Sequence, residues 1–281
     1  MATLLKGKDV ADALTAKMTD DVTALKARGV NPTLAILRVG ERGDDLSYEK
    51  GAMKRAESVG VAVKNVVLPA DVDQATLLSA VLDLNADKSV HGVLMFSPLP
   101  KHLDEKAIRE VLAPEKDVDG ITPGSLGSVF TGSGKGFAPC TAQACIEILD
   151  HYGIDLTGKR AVVVGRSLVI GKPVAQLLLA KNATVTTCHT RTVDMPSVTR
   201  GAEIIIVAAG KAGAVNADYV SAGQTVIDVG INVNEEGKLV GDADFASVEP
   251  IVDAITPVPG GVGSVTTCVL IKHVVYAAAR A

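Results

Sequence analysis

The chain has 281 residues, 47% hydrophobic and 21% charged, so it carries enough apolar material for a folded core and is not a disordered chain. Its length exceeds that of most single domains and favours two domains that share a cleft. Lys and Arg total 28 against 32 Asp and Glu, a net charge of −4 without a basic run, which argues against nucleic acid or an anionic membrane as partner.

No segment has the pattern of a targeting or membrane-spanning sequence. The first residues lack an apolar stretch followed by a small-residue cleavage site, and no apolar run approaches the ~18 residues of a membrane helix. We therefore expect a cytoplasmic protein that binds small molecules. The four cysteines form no Cys-x-x-Cys pair and no cluster with His at metal-ligand spacing. We predict reduced, structural cysteines and no metal site.

The first half of the chain alternates between short apolar runs and helical patterns. Strands are predicted at 33–39, 61–67 and 91–96, and helices at 46–59, 74–84 and 105–112. The helix at 74–84 has the clearest start, because Asp73 is a good N-cap residue and apolar residues recur at i, i+3 and i+4. A βαβ series of this kind predicts a parallel sheet.

The alternation restarts near residue 160 with four apolar runs, AVVV, ATVTTC, AEIIIVAA and QTVIDVG. They predict a second α/β unit with a buried parallel sheet. The segment 122–139 is rich in Gly, Ser and Pro, so we predict a linker, with the domain junction within or just after it. The predicted domains are 1–138, joined by a C-terminal helix at 265–281, and 139–264.

The segment 161–179 predicts a nucleotide site. A strand leads into a turn at Gly165, and Gly171 with Pro173 opens the next helix. Such a turn directs backbone N–H groups and a helix N-terminus at a diphosphate. The spacing is not G-x-G-x-x-G, so a tight βα turn without a ligand remains the alternative.

The end of the next strand favours NADP over NAD. NAD-binding folds usually place an acid there for the ribose hydroxyls, and this strand end has none. Arg166, Ser167, Thr190 and Arg191 can instead donate hydrogen bonds to a 2′-phosphate. The alternative for Arg191 is an ordinary solvated arginine. His189 is interpreted as a polar strand-end residue in preference to a catalyst.

Several motifs occur in an order typical of one enzyme family. They are SPLP (97–100), APEKDVDGITP (113–123), PCT (139–141), VVVGRSLVIGKP, ATVTTCHTRT, DVGIN (228–232), GDADF (241–245) and TPVPGGVG (256–263). With these the chain resembles the methylenetetrahydrofolate dehydrogenase/cyclohydrolase family over some 230 residues. The resemblance implies two α/β domains with parallel sheets, the second a Rossmann-type dinucleotide-binding domain. It also implies tetrahydrofolate derivatives as substrates, NADP as cofactor and a homodimer.

The resemblance also implies roles for individual residues. For the cofactor it implies Gly165, Arg166, Ser167, Thr190 and Ile231, to which the charge argument adds Arg191. For the folate it implies Tyr48 and Asp119, which are also the catalytic candidates, and the backbone near Pro257, Gly260 and Gly261.

Each folate residue also has a purely structural interpretation. Asp119 can accept the paired N–H donors of a pterin ring, or it can simply form a turn. PGGVG lets a flat ring approach bare backbone, or it is a plain loop. Tyr48 can stack on the pterin or its aryl tail, or fill a core with its hydroxyl in water.

The sequence departs from the family where the hydrolytic step is concerned. Family members carry a lysine four residues after the tyrosine and a glutamine before the SPLP-like turn, and these positions fall on Ala52 and Phe96. Around a helix, Ala52 lies about 40° from Tyr48, whereas Lys50 and Lys54 lie about 200° and about 240° away. Unless Gly51 distorts the helix, neither lysine shares the tyrosine's face.

We therefore expect an NADP-dependent methylenetetrahydrofolate dehydrogenase with weak or lost cyclohydrolase activity. Hydride transfer needs no side-chain base, whereas hydrolysis needs an activated water and a moved proton. A fully bifunctional enzyme is the alternative. A non-catalytic NADP sensor need not keep a pterin site, and a shikimate-type dehydrogenase needs a Lys-Asp pair that we do not find together.

Overall fold

Helices and mostly parallel strands alternate along the chain in the computed structural model, which describes residues 1–281. The strands are β1 (Thr3–Leu4), β2 (Thr33–Val39), β3 (Ala62–Leu68), β4 (Gly92–Met95), β5 (Arg160–Val164), β6 (Thr184–Cys188), β7 (Ile204–Val207), β8 (Thr225–Asp228), β9 (Asn232–Val233), β10 (Leu239–Val240) and β11 (Ala254–Ile255). The helices are α1 (Gly7–Ala27), α2 (Gly43–Val59), α3 (Gln74–Ala86), α4 (Glu105–Val111), α5 (Pro123–Thr131), α6 (Cys140–His151), α7 (Gly171–Ala180), α8 (Met195–Arg200), α9 (Phe245–Val248) and α10 (Gly263–Arg280). None combines the length and apolar character needed to cross a membrane.

The chain divides into two compact units. The three-stranded unit comprises Asp12–Cys140 and Thr267–Ala281, and the six-stranded unit comprises Met1–Ala11 and Thr141–Thr266. The first eleven residues, which we assigned from sequence to the first domain, group with the six-stranded unit because β1 pairs with β11 there. The confirmed fold class is therefore two α/β units with parallel sheets.

The three-stranded unit is built around β2. Its sheet has the order β3-β2-β4 with all pairs parallel, and β2 is buried along almost its whole length. One core cluster of this unit joins β2 and β4 to the apolar side of α3, where Leu77, Val81 and Leu84 are buried. As predicted, the Asp73 side chain caps α3 by accepting a hydrogen bond from Thr76 N at 2.7 Å.

The six-stranded unit has the strand order β1-β11-β8-β7-β5-β6, with every pair parallel. A short antiparallel hairpin of β9 and β10 follows β8. Strands β5, β7 and β8 are almost wholly buried, as their uninterrupted apolar sequences predict. In a sheet of this kind, ligands bind beyond the carboxyl ends of the strands.

The segment 122–139 is not the continuous linker that its composition predicts. Residues Pro123–Thr131 form α5, which begins at the N-cap Thr122, whose Oγ1 accepts from Ser125 N at 3.0 Å, and ends at Gly132. Gly124 lies so close to Pro114 that an added Cβ would be 2.4 Å from its ring. A cap and a close contact therefore make a helix from residues of low helix propensity.

One carboxylate organises the turn before α5. Asp117 is fully buried, and its side chain accepts hydrogen bonds from Gly120 N (3.0 Å), Ile121 N (3.2 Å) and Thr122 N (2.8 Å). Gly120 has φ 72°, and an added Cβ would lie 2.5 Å from Ala138 C, so only glycine fits there. Asp117 therefore makes the turn, and Asp119 is left to point elsewhere.

We predict that Asp117→Asn lowers the free energy of unfolding by about 1–3 kcal/mol, because an amide NH₂ would replace one acceptor of a buried N–H. Urea unfolding followed by circular dichroism measures it. Glu115→Gln, an exposed change in the same turn, is the matched control and should stay within about 0.5 kcal/mol of wild type. Equal effects of the two substitutions would show that the Asp117 hydrogen bonds do not hold the turn.

Candidate functional site

Asp119 is the most unusual carboxyl group of the three-stranded unit. It is half-buried and lies near the Cys140 thiol, whereas Asp117 takes up the backbone N–H groups of the turn. Burial and the charge of Asp117 raise the pKa of Asp119 to about 6, against the opposing effects of Cys140 and Arg109. This carboxyl therefore changes charge close to neutral pH, as acid–base and ligand-binding groups often do.

Tyr48 lies beside Asp119 and projects from α2. Its ring meets Phe96 edge-on, with 5.9 Å between centroids and 86° between planes. Burial, followed by the charges of Asp119 and Cys140, raises the pKa of the Tyr48 phenol far above its usual value. The hydroxyl therefore stays protonated at neutral pH and is a hydrogen-bond donor.

Cys140 and His273 support this pocket from the other side. The Cys140 thiol lies 3.2 Å from Val118 O, and His273 Nδ1 lies 2.8 Å from the same carbonyl. Phe137 stacks on the His273 ring at 4.7 Å. Burial and the neighbouring Asp119 raise the pKa of Cys140 well above its usual value, so the thiol is a donor and not a nucleophile.

The Tyr48 face of α2 has no lysine. Ala52 is 0% exposed, whereas Lys50 and Lys54 are exposed to solvent. The helix runs through Gly51 without interruption, so the distortion that would turn Lys50 towards Tyr48 does not occur. The buried Glu49 of the same helix is paired with Arg38 of β2, with 2.8 Å between Nε and Oε2.

The residues predicted to bind the nucleotide after β5 and β6 lie together at the carboxyl edge of the six-stranded sheet. Val164 of β5 is in register with Cys188 of β6, so the residues that follow these two strands leave the sheet at the same edge. Gly165 has φ 127°, and an added Cβ would lie 2.0 Å from Ala208 O. A side chain there would force β5 away from β7, so the turn requires glycine.

Two guanidinium groups and two hydroxyls stand at this edge, on Arg166, Arg191, Ser167 and Thr190, and all four residues are exposed. Ser167 Oγ also accepts a hydrogen bond from Ile170 N at 3.1 Å and so stabilises the start of α7. This arrangement of positive charge at a helix N-terminus suits a phosphate. His189 Nδ1 accepts a hydrogen bond from Arg191 N at 3.1 Å, which fits the polar strand-end role predicted for it.

Ile231, Pro257, Gly260 and Gly261 line one cavity of about 220 Å³ in the six-stranded unit. The start of α1 contacts the PGGVG loop, because Gly7 N donates a hydrogen bond to Gly260 O at 2.8 Å. An added Cβ on Gly261 would lie 2.5 Å from Pro257 O. The glycines therefore have a packing reason of their own, besides leaving bare backbone for a ligand.

Sequence reasoning missed two residues that influence Asp119. Cys140 is predicted to be structural, yet it lowers the pKa of Asp119, and Arg109 is only one position of a predicted helix. Arg109 follows Glu105 by four residues, a common surface pairing that gives no sign of a site. No group of three or more His, Cys, Asp or Glu is arranged to hold a metal ion.

Comparison with known proteins identifies the family. The model for the tetrahydrofolate dehydrogenase/cyclohydrolase catalytic domain matches residues 5–119, and that for its NAD(P)-binding domain matches residues 139–281. The bifunctional protein FolD of Carboxydothermus hydrogenoformans is 56% identical over 279 residues, 99% of this chain and 97% of that protein.

Two solved structures are similar over nearly their whole length. The bifunctional FolD dehydrogenase/cyclohydrolase of Campylobacter jejuni has a TM-score of 0.95 and 40% identity, covering 100% of this chain and 99% of that one. The Trypanosoma brucei FolD, solved with NADP cofactor and inhibitor, has a TM-score of 0.90 and 36% identity, covering 99% and 98%. The chain therefore belongs to the tetrahydrofolate dehydrogenase/cyclohydrolase family, as its motifs predict.

Proposed function

We propose that this chain oxidises 5,10-methylenetetrahydrofolate with NADP and also hydrolyses the methenyl product. The observation that carries the proposal is the half-buried Asp119 beside Tyr48, a carboxyl whose pKa of about 6 matches neutral pH, in a member of this family. A homodimer and a cytoplasmic location belong to the same proposal; light scattering of the purified protein tests the dimer.

In the proposed folate site the carboxylate of Asp119 accepts the N–H donors of the pterin ring. The protonated phenol of Tyr48 donates a hydrogen bond to the substrate or to the attacking water. In the six-stranded unit, the loop with Pro257, Gly260 and Gly261 offers bare backbone to a ligand. Oxidation then requires mainly that the donor carbon be held in an orientation suited to hydride transfer, because the methenyl cation is stabilised by its own nitrogens.

In the proposed cofactor site, the turn after Gly165 and the N-terminus of α7 hold the diphosphate. Arg166, Ser167, Thr190 and Arg191 hold the 2′-phosphate, and Ile231 contacts the cofactor from its cavity. NADP supplies the hydride acceptor. The two exposed guanidinium groups and the absence of an acid at the end of β6 support NADP over NAD.

The second activity departs from our sequence-based expectation of weak hydrolysis. The relatives at 45–56% identity over almost the whole chain are bifunctional FolD proteins, which favours the bifunctional alternative. We therefore adopt the bifunctional alternative.

Two spectroscopic assays on one preparation test this function. NADPH formation from methylenetetrahydrofolate measures oxidation, and loss of methenyl absorbance measures hydrolysis. We expect methenyl decay about 10²-fold or more above the buffer rate. Decay at the buffer rate beside active oxidation would restore the dehydrogenase-only reading.

Ala52→Lys discriminates further between the two readings. In a bifunctional enzyme it should change hydrolysis less than about tenfold, because the existing groups already move the proton. Met53→Lys adds the same charge at an exposed neighbouring position and is the control. A tenfold or larger rise with Ala52→Lys alone, or with Ala52→Lys and Phe96→Gln together, would show that the missing amine limits this chain.

Arg166→Ala should raise KM for NADP by about 10- to 100-fold, the value of one charge-assisted hydrogen bond, and leave KM for NAD nearly unchanged. The control is Arg160→Ala, which removes a charge from the opposite end of β5, where an exposed ion pair with Glu203 contributes little. Equal losses with both cofactors would contradict the assignment of Arg166 to the 2′-phosphate.

Asp119→Asn should weaken folate binding about tenfold or more and yet stabilise the free protein at pH 7.5 by about 1–2 kcal/mol. The pKa of Asp119 is raised in the folded state, so its ionisation costs stability as the pH rises from about 4 through about 6. The substitution removes that cost, and the gain should vanish at about pH 4.

Calorimetry with each ligand and thermal unfolding at the two pH values measure these effects, with Glu115→Gln as control. NADP binding should be unchanged, since the residues assigned to it lie in the six-stranded unit. An unchanged folate Kd would mean that the pterin binds elsewhere.

A further inference from the structure

Arg109 of α4 is a basic residue whose bonding is incomplete. Its Nη2 donates to Ser97 Oγ at 3.1 Å and is paired with Glu105 Oε1. Its Nε is buried and has no hydrogen-bond partner. A guanidinium on a short surface helix ordinarily has water at each nitrogen. The buried Nε of Arg109 therefore indicates a role other than that of a solvated surface charge.

The same helix face fixes the turn that follows β4. Glu105 Oε2 accepts a hydrogen bond from Leu99 N at 2.7 Å, while Arg109 holds Ser97 in the same SPLP turn. Phe96, the residue immediately before this turn, is the one whose ring meets Tyr48. Arg109 is therefore connected to Tyr48 through Ser97 and the adjacent Phe96.

Arg109 also acts on Asp119 by its charge. Burial and Asp117 raise the pKa of Asp119, and the Cys140 thiol and the Arg109 guanidinium lower it. The other groups at this carboxyl are the protonated phenol of Tyr48 on α2 and, through Cys140, the ring of His273 on α10. Among the groups that act directly on the carboxyl, Arg109 carries the positive charge.

We propose that Arg109 is a positioning residue of the folate site, which fixes the turn behind Phe96 and supplies a positive charge near Asp119. The ligand class is a pterin or another ring with paired N–H donors. The inference rests on the proposed function for the identity of that ligand. Arginine suits this role because its fork bonds the turn while its charge stays fixed at every working pH.

The proposal is tested by the fall of folate affinity at acid pH, which we call the acid limb. For the wild type, affinity for tetrahydrofolate should fall as the pH drops below about 6, when Asp119 takes up a proton. In Arg109→Met this limb should move upward by about half to one pH unit, and in Arg109→Lys by less, since the charge is kept. Lys106→Met removes an exposed charge from the same helix and should leave the limb in place.

Ser97→Ala separates the two parts of the role. It removes the hydrogen bond between Arg109 and the turn but keeps the charge of Arg109. We therefore expect a higher Kd for tetrahydrofolate, with the acid limb at the same pH as in the wild type. Arg109→Met with the wild-type limb would overturn the proposal, as would a Lys106→Met limb shifted as far as that of Arg109→Met.

Two readouts keep the result interpretable. NADP binding and the unfolding transition of each variant report whether the protein is folded. If Arg109→Met does not fold, the limb of Arg109→Lys decides, and a limb displaced as far as half a unit despite its charge contradicts the proposal. A wild type that binds NADP but no folate at any pH would contradict the proposed function itself.

Discussion

The backbone N–H groups of Gly120, Ile121 and Thr122 converge on one buried carboxylate, Asp117, and the candidate folate site depends on that convergence. Three backbone hydrogen bonds hold the Asp117 carboxylate in the turn. That charge raises the pKa of Asp119 two residues later. One acid is thus used up by the backbone, and the other remains available for a ligand.

The pKa of Asp119 is set by opposing influences. Burial disfavours its charge, while the nearby Cys140 thiol and the Arg109 guanidinium favour it. An asparagine or an apolar residue would fit the fold at lower cost, so the carboxyl is better explained by binding than by stability. The neighbouring Cys140 and His273 share the Val118 carbonyl and thereby fix the wall on which the carboxyl lies.

The nucleotide-type edge depends on a different constraint, the exclusion of side chains. At Gly165 an added Cβ would overlap Ala208 O, and at Gly171 it would lie 2.4 Å from Gly165 O. The turn therefore approaches its neighbours as closely as backbone allows, which brings the start of α7 to the carboxyl edge of β5. Arg166 and Arg191 are exposed at this edge, and neither forms an ion pair within the six-stranded unit.

The sequence by itself determined the fold class, strands β2 to β4 and helices α2 to α4 of the three-stranded unit, and the residues that mark the family, because apolar period, capping residues and glycine turns are local signals. It did not determine α5, whose low-propensity residues are made helical by a cap and by packing against Pro114. It also placed β1 with the wrong unit, since two residues carry no period and only pairing with β11 defines them.

Asp117 and Asp119 look equivalent in the sequence, and only tertiary structure decides which makes the turn and which is left over. The same holds for Arg109, whose importance comes from Ser97 and Asp119, groups brought to it by the sheet and not by its own helix. Electrostatic and hydrogen-bond roles depend on distances between residues far apart in the chain, and a local pattern does not contain those distances.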